Sequence, residues 1–109
     1  MSLDIADLGK SILGAFKDIL KDSWSDTREY AKGESKKMAL ALAQIAKLRA
    51  LGQISEDEAY LLLEMQKNST RAVLLTIEGI GLITAQRAID AALKAVADAV
   101  NGTIGFALI

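Results

Sequence analysis

The sequence predicts an all-α fold, in which an antiparallel helical hairpin with one very long C-terminal helix joins an N-terminal amphipathic helix. Hydrophobic residues make up 51% of the 109 positions and charged residues 25%, a composition typical of a folded domain. Proline is absent, whereas alanine and leucine, two of the strongest helix formers, are abundant. Apolar residues recur at three- and four-residue spacing over most of the chain, which is the helical period. We therefore expect residues 1–109 to form a single helical domain.

The first predicted helix runs from about residue 3 to residue 30. Its charged residues lie mainly on one side, and its apolar residues form a stripe at helical spacing on the other. The stripe consists of Ile5, Leu8, Ile12, Ala15, Phe16 and Ile19. Gly33 follows and predicts a helix end or a joint, because glycine readily adopts the left-handed conformation of a C-terminal cap.

The second predicted helix covers about residues 34–51 and ends at Gly52. The next helix opens at Ser55, which together with Glu58 has the spacing of a capping box. The short connection predicts an antiparallel hairpin. Residues 47–59, KLRALGQISEDEA, resemble the helical hairpin of the SHOCT family, a short module associated with oligomerisation. That resemblance covers about an eighth of the chain, and it implies the hairpin alone.

The third predicted helix extends over residues 56–101, because no clear stop signal precedes Asn101 and Gly102. At 1.5 Å per residue it would be about 67 Å long. Gly79 and Gly81 are each unfavourable inside a helix and predict a close crossing or a kink at 79–81. Residues 102–109 remain as an apolar tail.

Two series of small residues, one on the second predicted helix and one on the last part of the third, predict close helix–helix packing. In both, the spacing alternates between four and three residues, a pattern that keeps one face toward a partner helix over many turns. Small side chains there let two helix axes approach to about 8 Å or less. The first seam is Ala39, Ala43, Ala46 and Ala50, and the second seam is Gly81, Ala85, Ala88, Ala92, Ala95 and Ala99.

The second predicted helix is too short to cover the second seam, so the partner of that seam is either the first helix or a helix of another copy. The tail residues are apolar and would promote association if they were left in water. They are Ile104, Phe106, Leu108 and Ile109. We expect the tail to pack on a neighbouring chain, and we expect self-association into a homo-oligomer to complete the helical bundle.

Residues capable of chemistry are sparse. The chain contains no histidine and no cysteine, which removes the commonest general base and the commonest ligands of transition metals. We therefore expect no enzymatic activity, no metal site and no cofactor. Glu78 lies in an apolar run and has two interpretations: a buried charge with a raised pKa, or a member of the polar stripe formed with Glu64, Asn68 and Arg71.

The predicted function is that of a structural or interaction protein that assembles through the two seams. A membrane-active amphipathic protein is the alternative, although the first helix is net acidic and surface-seeking helices are usually basic. A weaker alternative is a carrier that binds an apolar ligand between its helices. The net charge of −1 argues against nucleic acid as a partner. The chain starts without a signal peptide and has no uncharged run of 18 apolar residues, so the expected location is the cytoplasm.

Charge is distributed unevenly along the chain. Residues 28–49 hold six Lys or Arg against two Glu, for a net charge of +4, whereas residues 50–68 sum to −3. We expect the basic segment to face acidic segments, either within the fold or across an interface. An anionic partner is the alternative.

Overall fold

The computed structural model describes residues 3–109, and all regular secondary structure in that range is helical. Four α-helices follow one another: α1 (Ile5–Leu20), α2 (Trp24–Ala50), α3 (Glu56–Leu75) and α4 (Leu82–Ile104). A single 3₁₀ turn, Lys21–Ser23, separates the first two. The molecule measures 42 × 23 × 18 Å. The all-α prediction is confirmed, but the number and the bounds of the helices differ from those predicted.

The predicted helix over residues 3–30 is in fact divided between α1 and α2. α1 is capped by Asp4, whose Oδ1 accepts a hydrogen bond of 3.1 Å from the backbone N–H of Asp7. It ends at Leu20, where the apolar stripe gives way to three polar residues. The turn at Lys21–Ser23 lets α1 pack against α2 and bury its apolar stripe. Leu8, Ile12 and Phe16 of that stripe are buried, and so is Leu20 at the end of α1.

Gly33 neither ends a helix nor forms a joint, contrary to the prediction, because it lies inside α2. A glycine in a helix interior costs about 1 kcal/mol relative to alanine. The buried face of α2 continues on both sides of Gly33, through Ala31 and Met38, and burying such side chains outweighs that cost. The hydroxyl of Ser35 also donates to the carbonyl of Ala31 at 2.6 Å.

The connection between α2 and α3 has the local chemistry that the sequence predicts. Gly52 adopts a φ of +69°, a conformation that favours glycine. The capping box is confirmed: the Ser55 hydroxyl accepts from the backbone N–H of Glu58 at 3.1 Å. In return, Oε1 of Glu58 accepts from the backbone N–H of Ser55 at 2.9 Å. α2 and α3 pack against each other beyond this turn.

The predicted single helix over residues 56–101 is wrong. α3 ends at Leu75 and α4 begins at Leu82, so the glycines mark a complete break and not a kink. Gly79 has a φ of +88° and Gly81 precedes α4 as its N-cap residue. One helix of about 67 Å would extend far beyond a molecule whose longest dimension is 42 Å. The break lets α4 turn back and bury its apolar side.

The four helices close around one core. Each helix packs against its neighbours in the sequence, and α4 and α1 make the most extensive contact between any two helices of residues 3–109. Every helix contributes side chains that are at most 1% exposed. The largest of these are Ile12, Phe16, Met38, Leu42, Leu74, Ile89 and Val100.

Candidate functional site

The first predicted seam lies on α2 and the second on α4, so we call them the α2 seam and the α4 seam. Half of the α4 seam is buried inside the single chain. Ala85, Ala88 and Ala92 have no solvent exposure, because this side of α4 lies in the core beside α1. The sequence left two partners open for this seam, the first helix or a helix of another copy. In the structure the partner is the first helix, α1. These three residues are not accessible to a second chain in the folded protein.

The other half of the α4 seam is exposed. Gly81 precedes the helix, and Ala95 and Ala99 face solvent. The buried side of α4 continues through larger residues, namely Leu93, Val96 and Val100. The sequence pattern did not distinguish these two halves, since alanine serves equally well on a buried and on an exposed helix face.

The α2 seam is covered at one end and open at the other. Ala39 is fully buried and Ala46 is 8% exposed, whereas Ala43 is half-buried and Ala50 is exposed. Ala43, Ala46 and Ala50 line a groove of about 660 Å³ together with residues from the start of α1 and from Thr103 near the end of α4. The open end of the α2 seam therefore forms the floor of a surface groove.

A second groove, of about 520 Å³, lies between α1 and α2 and shares Ile5 with the first. We call the two together the extended groove. Its floor is apolar or small, and its edges carry lysine. The floor residues include Ile5, Ala6, Gly9, Leu13, Ala43, Ala46 and Ala50. The lysines are Lys10, Lys32, Lys36 and Lys47.

The lysines of the extended groove are largely without partners in the part of the chain that the structure describes. Lys32 reaches a carboxylate oxygen of Glu29 at 3.8 Å, and both side chains are well exposed. Among residues 3–109, Lys10, Lys36 and Lys47 form no ion pair, and no acidic side chain lines either groove. The extended groove is therefore an apolar channel with a positively charged edge.

The outward side of α3 is also apolar but carries acidic residues where the groove carries lysines, and we call it the α3 outer face. Its large apolar members are Leu61, which is 61% exposed, Met65, which is 58% exposed, and Leu75, which is 41% exposed. Exposed carboxylates lie beside them on the same turns of the helix. These are Asp57, Glu58 and Glu64. Sequence reasoning missed this surface because it assigned α3 and α4 to a single helix.

The apolar tail packs on its own chain, whereas the sequence predicts packing on a neighbouring one. Gly105, at a φ of +90°, turns the chain back after α4, and Leu108 is 5% exposed. Oδ1 of Asn101 accepts from the backbone N–H groups of Leu108 at 3.0 Å and Ile109 at 3.1 Å. Nδ2 of Asn101 donates to the backbone oxygen of Ile109 at 3.2 Å. Ile104, like the tail, is packed against the core.

An aromatic contact holds the middle of the tail. The ring of Phe106 meets the ring of Tyr60 edge-on, with 5.8 Å between centroids, and the Arg49 guanidinium lies 5.3 Å from the Phe106 centroid. The Tyr60 hydroxyl donates to the carbonyl of Ala107 at 2.8 Å. The tail thereby connects the end of α2, the beginning of α3 and the end of α4.

Glu78 is not a buried charge. It lies exposed in the connection between α3 and α4, outside any helix, and so does not continue the polar stripe either. Arg71, one member of that predicted stripe, instead donates to Oε1 of Gln86 on α4 at 2.7 Å and 3.0 Å. Both interpretations of Glu78 assumed an unbroken helix, and the break at residues 76–81 removes that basis.

Among residues 3–109, the buried acidic side chain is that of Glu34, on α2. Its side chain is 3% exposed, Oε2 lies 3.2 Å from Nζ of Lys37, and Oε1 has no hydrogen-bond partner among residues 3–109. The hydroxyl of Thr27, two turns earlier, is likewise buried without a partner there. The spacing could have revealed Glu34, because it occupies a place in the apolar series of Ala31 and Met38.

Among residues 3–109, no group of three or more acidic side chains is placed to hold a metal ion. Within the same range, no helix combines the length and the apolar character that crossing a bilayer requires. Comparisons with protein-family models, with curated proteins and with solved structures find no match to the chain.

Proposed function

We propose that this chain is a non-enzymatic interaction protein that assembles into a homo-oligomer through the extended groove. The single observation that carries the proposal is the open end of the α2 seam. Ala43, Ala46 and Ala50 form a floor on which another helix can pack closely. Leu40 and Leu51 beside it are 47% and 59% exposed, and grouped exposed apolar residues mark interaction sites.

In this proposal the chains associate as folded units. The sequence suggested that self-association completes a bundle around a helical hairpin, but α1 and α4 already close the core of one chain. The interface therefore adds to the outside of the four helices. Ala85, Ala88 and Ala92 contribute to the stability of the single chain, and the open residues of the α2 seam contribute to assembly.

The membrane-active alternative requires a larger rearrangement. The apolar stripe of α1 is the part of the chain that resembles a surface-seeking helix, and its central residues Ile12 and Phe16 have no exposure. α1 would have to leave both α2 and α4 to present that stripe to lipid. The extended groove is already accessible to a protein partner, so the structure favours assembly over insertion.

Light scattering after size exclusion, over a wide range of protein concentration, tests the proposal. We expect a stable multiple of the chain mass of 11.6 kDa. Ala43→Glu should reduce the mass to that of a single chain, because it places a charge on the floor of the extended groove. Ser11→Glu, at an exposed position of α1, is the control that should leave the mass unchanged. A single-chain mass for the wild-type protein at every concentration would contradict the proposal.

A further inference from the structure

We propose that the extended groove receives the α3 outer face of a second copy of the chain, so that the copies assemble head to tail. This inference rests on the proposed function and specifies its partner surface. Two observations made independently on different helices carry it: an apolar groove edged by lysines, and an exposed helix face of apolar and acidic residues.

Charge is the first point of complementarity. The groove contributes Lys10, Lys32 and Lys36, and the beginning of α3 contributes Asp57 and Glu58. In the described chain, the shortest distance from any of these three lysines to a carboxylate is the 3.8 Å between Lys32 and Glu29. Opposite charges brought together across an interface fix its orientation and reject partners of the wrong charge.

Shape is the second point. The groove follows α2 from Lys32 to Leu51, a distance of about 28 Å at 1.5 Å per residue. The α3 outer face extends from Asp57 to Leu75, or about 27 Å on the same basis. Gly9 lies in the floor, where a Cβ atom built on it would meet nothing within 4 Å. Leu61 and Met65 of the second copy thus have an open channel to enter.

These two matches also determine the direction of the incoming helix. The acidic residues lie toward the beginning of α3, whereas three of the four groove lysines lie near Lys32 and Lys36 at the early end of the channel. The incoming α3 therefore runs parallel to α2, with Leu75 near Leu51. In this head-to-tail contact each copy offers its groove to one neighbour and its α3 outer face to another, so repeating the contact produces either a closed ring or an open filament.

Two complementary variants test the inference. Gly9→Leu fills the groove and leaves the α3 outer face intact, and it should not weaken the fold because leucine is the better helix former. Met65→Glu blocks the α3 outer face and leaves the groove intact. Each variant alone should elute as a single chain, and a 1:1 mixture should form a dimer of twice 11.6 kDa and nothing larger. Gly14→Leu, also on α1 with open space around its Cβ but outside the groove, should assemble like the wild type.

The outcomes separate this inference from the proposed function. A wild-type protein that remains a single chain overturns both. If the wild type assembles and Ala43→Glu disrupts the assembly, but Met65→Glu assembles as well as the wild type, the proposed function stands and the α3 outer face is not the partner surface. If both variants are single chains and their mixture does not combine, the interface is not head to tail, because only a heterologous contact is restored by mixing. Circular dichroism of each variant checks that the four helices remain.

Discussion

At the scale of the residue, alanine has opposite roles on the two sides of α4. Ala92 has no exposure and lies where α4 packs in the core, whereas Ala95, three positions later, faces solvent. A larger side chain at position 92 must displace its neighbours, whereas the same side chain at position 95 extends into water. The sequence shows both residues as members of one seam.

Ala92→Leu should therefore lower the free energy of unfolding by about 1–3 kcal/mol, the usual cost of overpacking a core. Ala95→Leu is the matched control on the same helix and should change it by no more than about 0.5 kcal/mol. Urea denaturation followed by circular dichroism measures both. Equal effects of the two substitutions would show that Ala92 is not enclosed as the structure places it.

The carboxylates show how much of a residue's environment the sequence reveals. Glu34 is buried, and its place in the apolar series of α2 could have predicted this. Glu78 is surrounded in sequence by apolar residues and yet is exposed, because α3 ends at Leu75 and Glu78 lies in the turn before Gly79, which takes a positive φ. Helical spacing predicts burial only where the helix continues.

At the scale of the element, the sequence predicts helical segments better than it predicts their ends. The capping box at Ser55 and the positive φ at Gly52 follow from local chemistry and are found where expected. Gly33 has the same propensity as Gly52 but stays helical, since the residues around it are buried. The turn after Leu20 has no glycine, and packing of α1 against α2 and α4 is what selects it.

Asn101 connects the end of α4 to the tail, so Asn101→Ala should release the last residues. The substitution removes the acceptor of two backbone N–H groups and the donor to a third backbone group. We expect the free energy of unfolding to fall by about 1–3 kcal/mol, with faster amide exchange at Leu108. Asn68→Ala controls for helix propensity, because Asn68 is exposed on α3 and accepts only from Arg71. Unchanged exchange at Leu108 would show that the Asn101 side chain does not hold the tail.

At the scale of the whole molecule, a net charge of −1 conceals a strong separation of charge. The segment of residues 28–49 carries +4 and supplies most lysines of the extended groove, and the segment of residues 50–68 carries −3 and supplies the acids of the α3 outer face. The sequence established this separation, but only the fold shows that the two segments present different surfaces. In the proposed assembly, the oppositely charged surfaces of two copies attract one another although the total charge of each copy is nearly zero.

Salt should therefore weaken the assembly. Raising the ionic strength from about 0.1 M to about 1 M shortens the screening length from about 10 Å to about 3 Å and reduces the attraction between exposed lysines and carboxylates. With several such pairs at the interface, we expect the dissociation constant to rise by about tenfold, measured by sedimentation equilibrium at the two salt concentrations. For an interface made only of apolar contacts, the dissociation constant would fall or stay unchanged as salt is added, since sulfate and similar salts strengthen apolar burial. Sodium sulfate and sodium chloride at equal ionic strength consequently distinguish the charged contacts from the apolar ones. Dissociation in both salts indicates that the lysine–carboxylate pairs dominate the interface. Tighter assembly in sulfate would show that Leu61 and Met65 hold the copies together without those pairs.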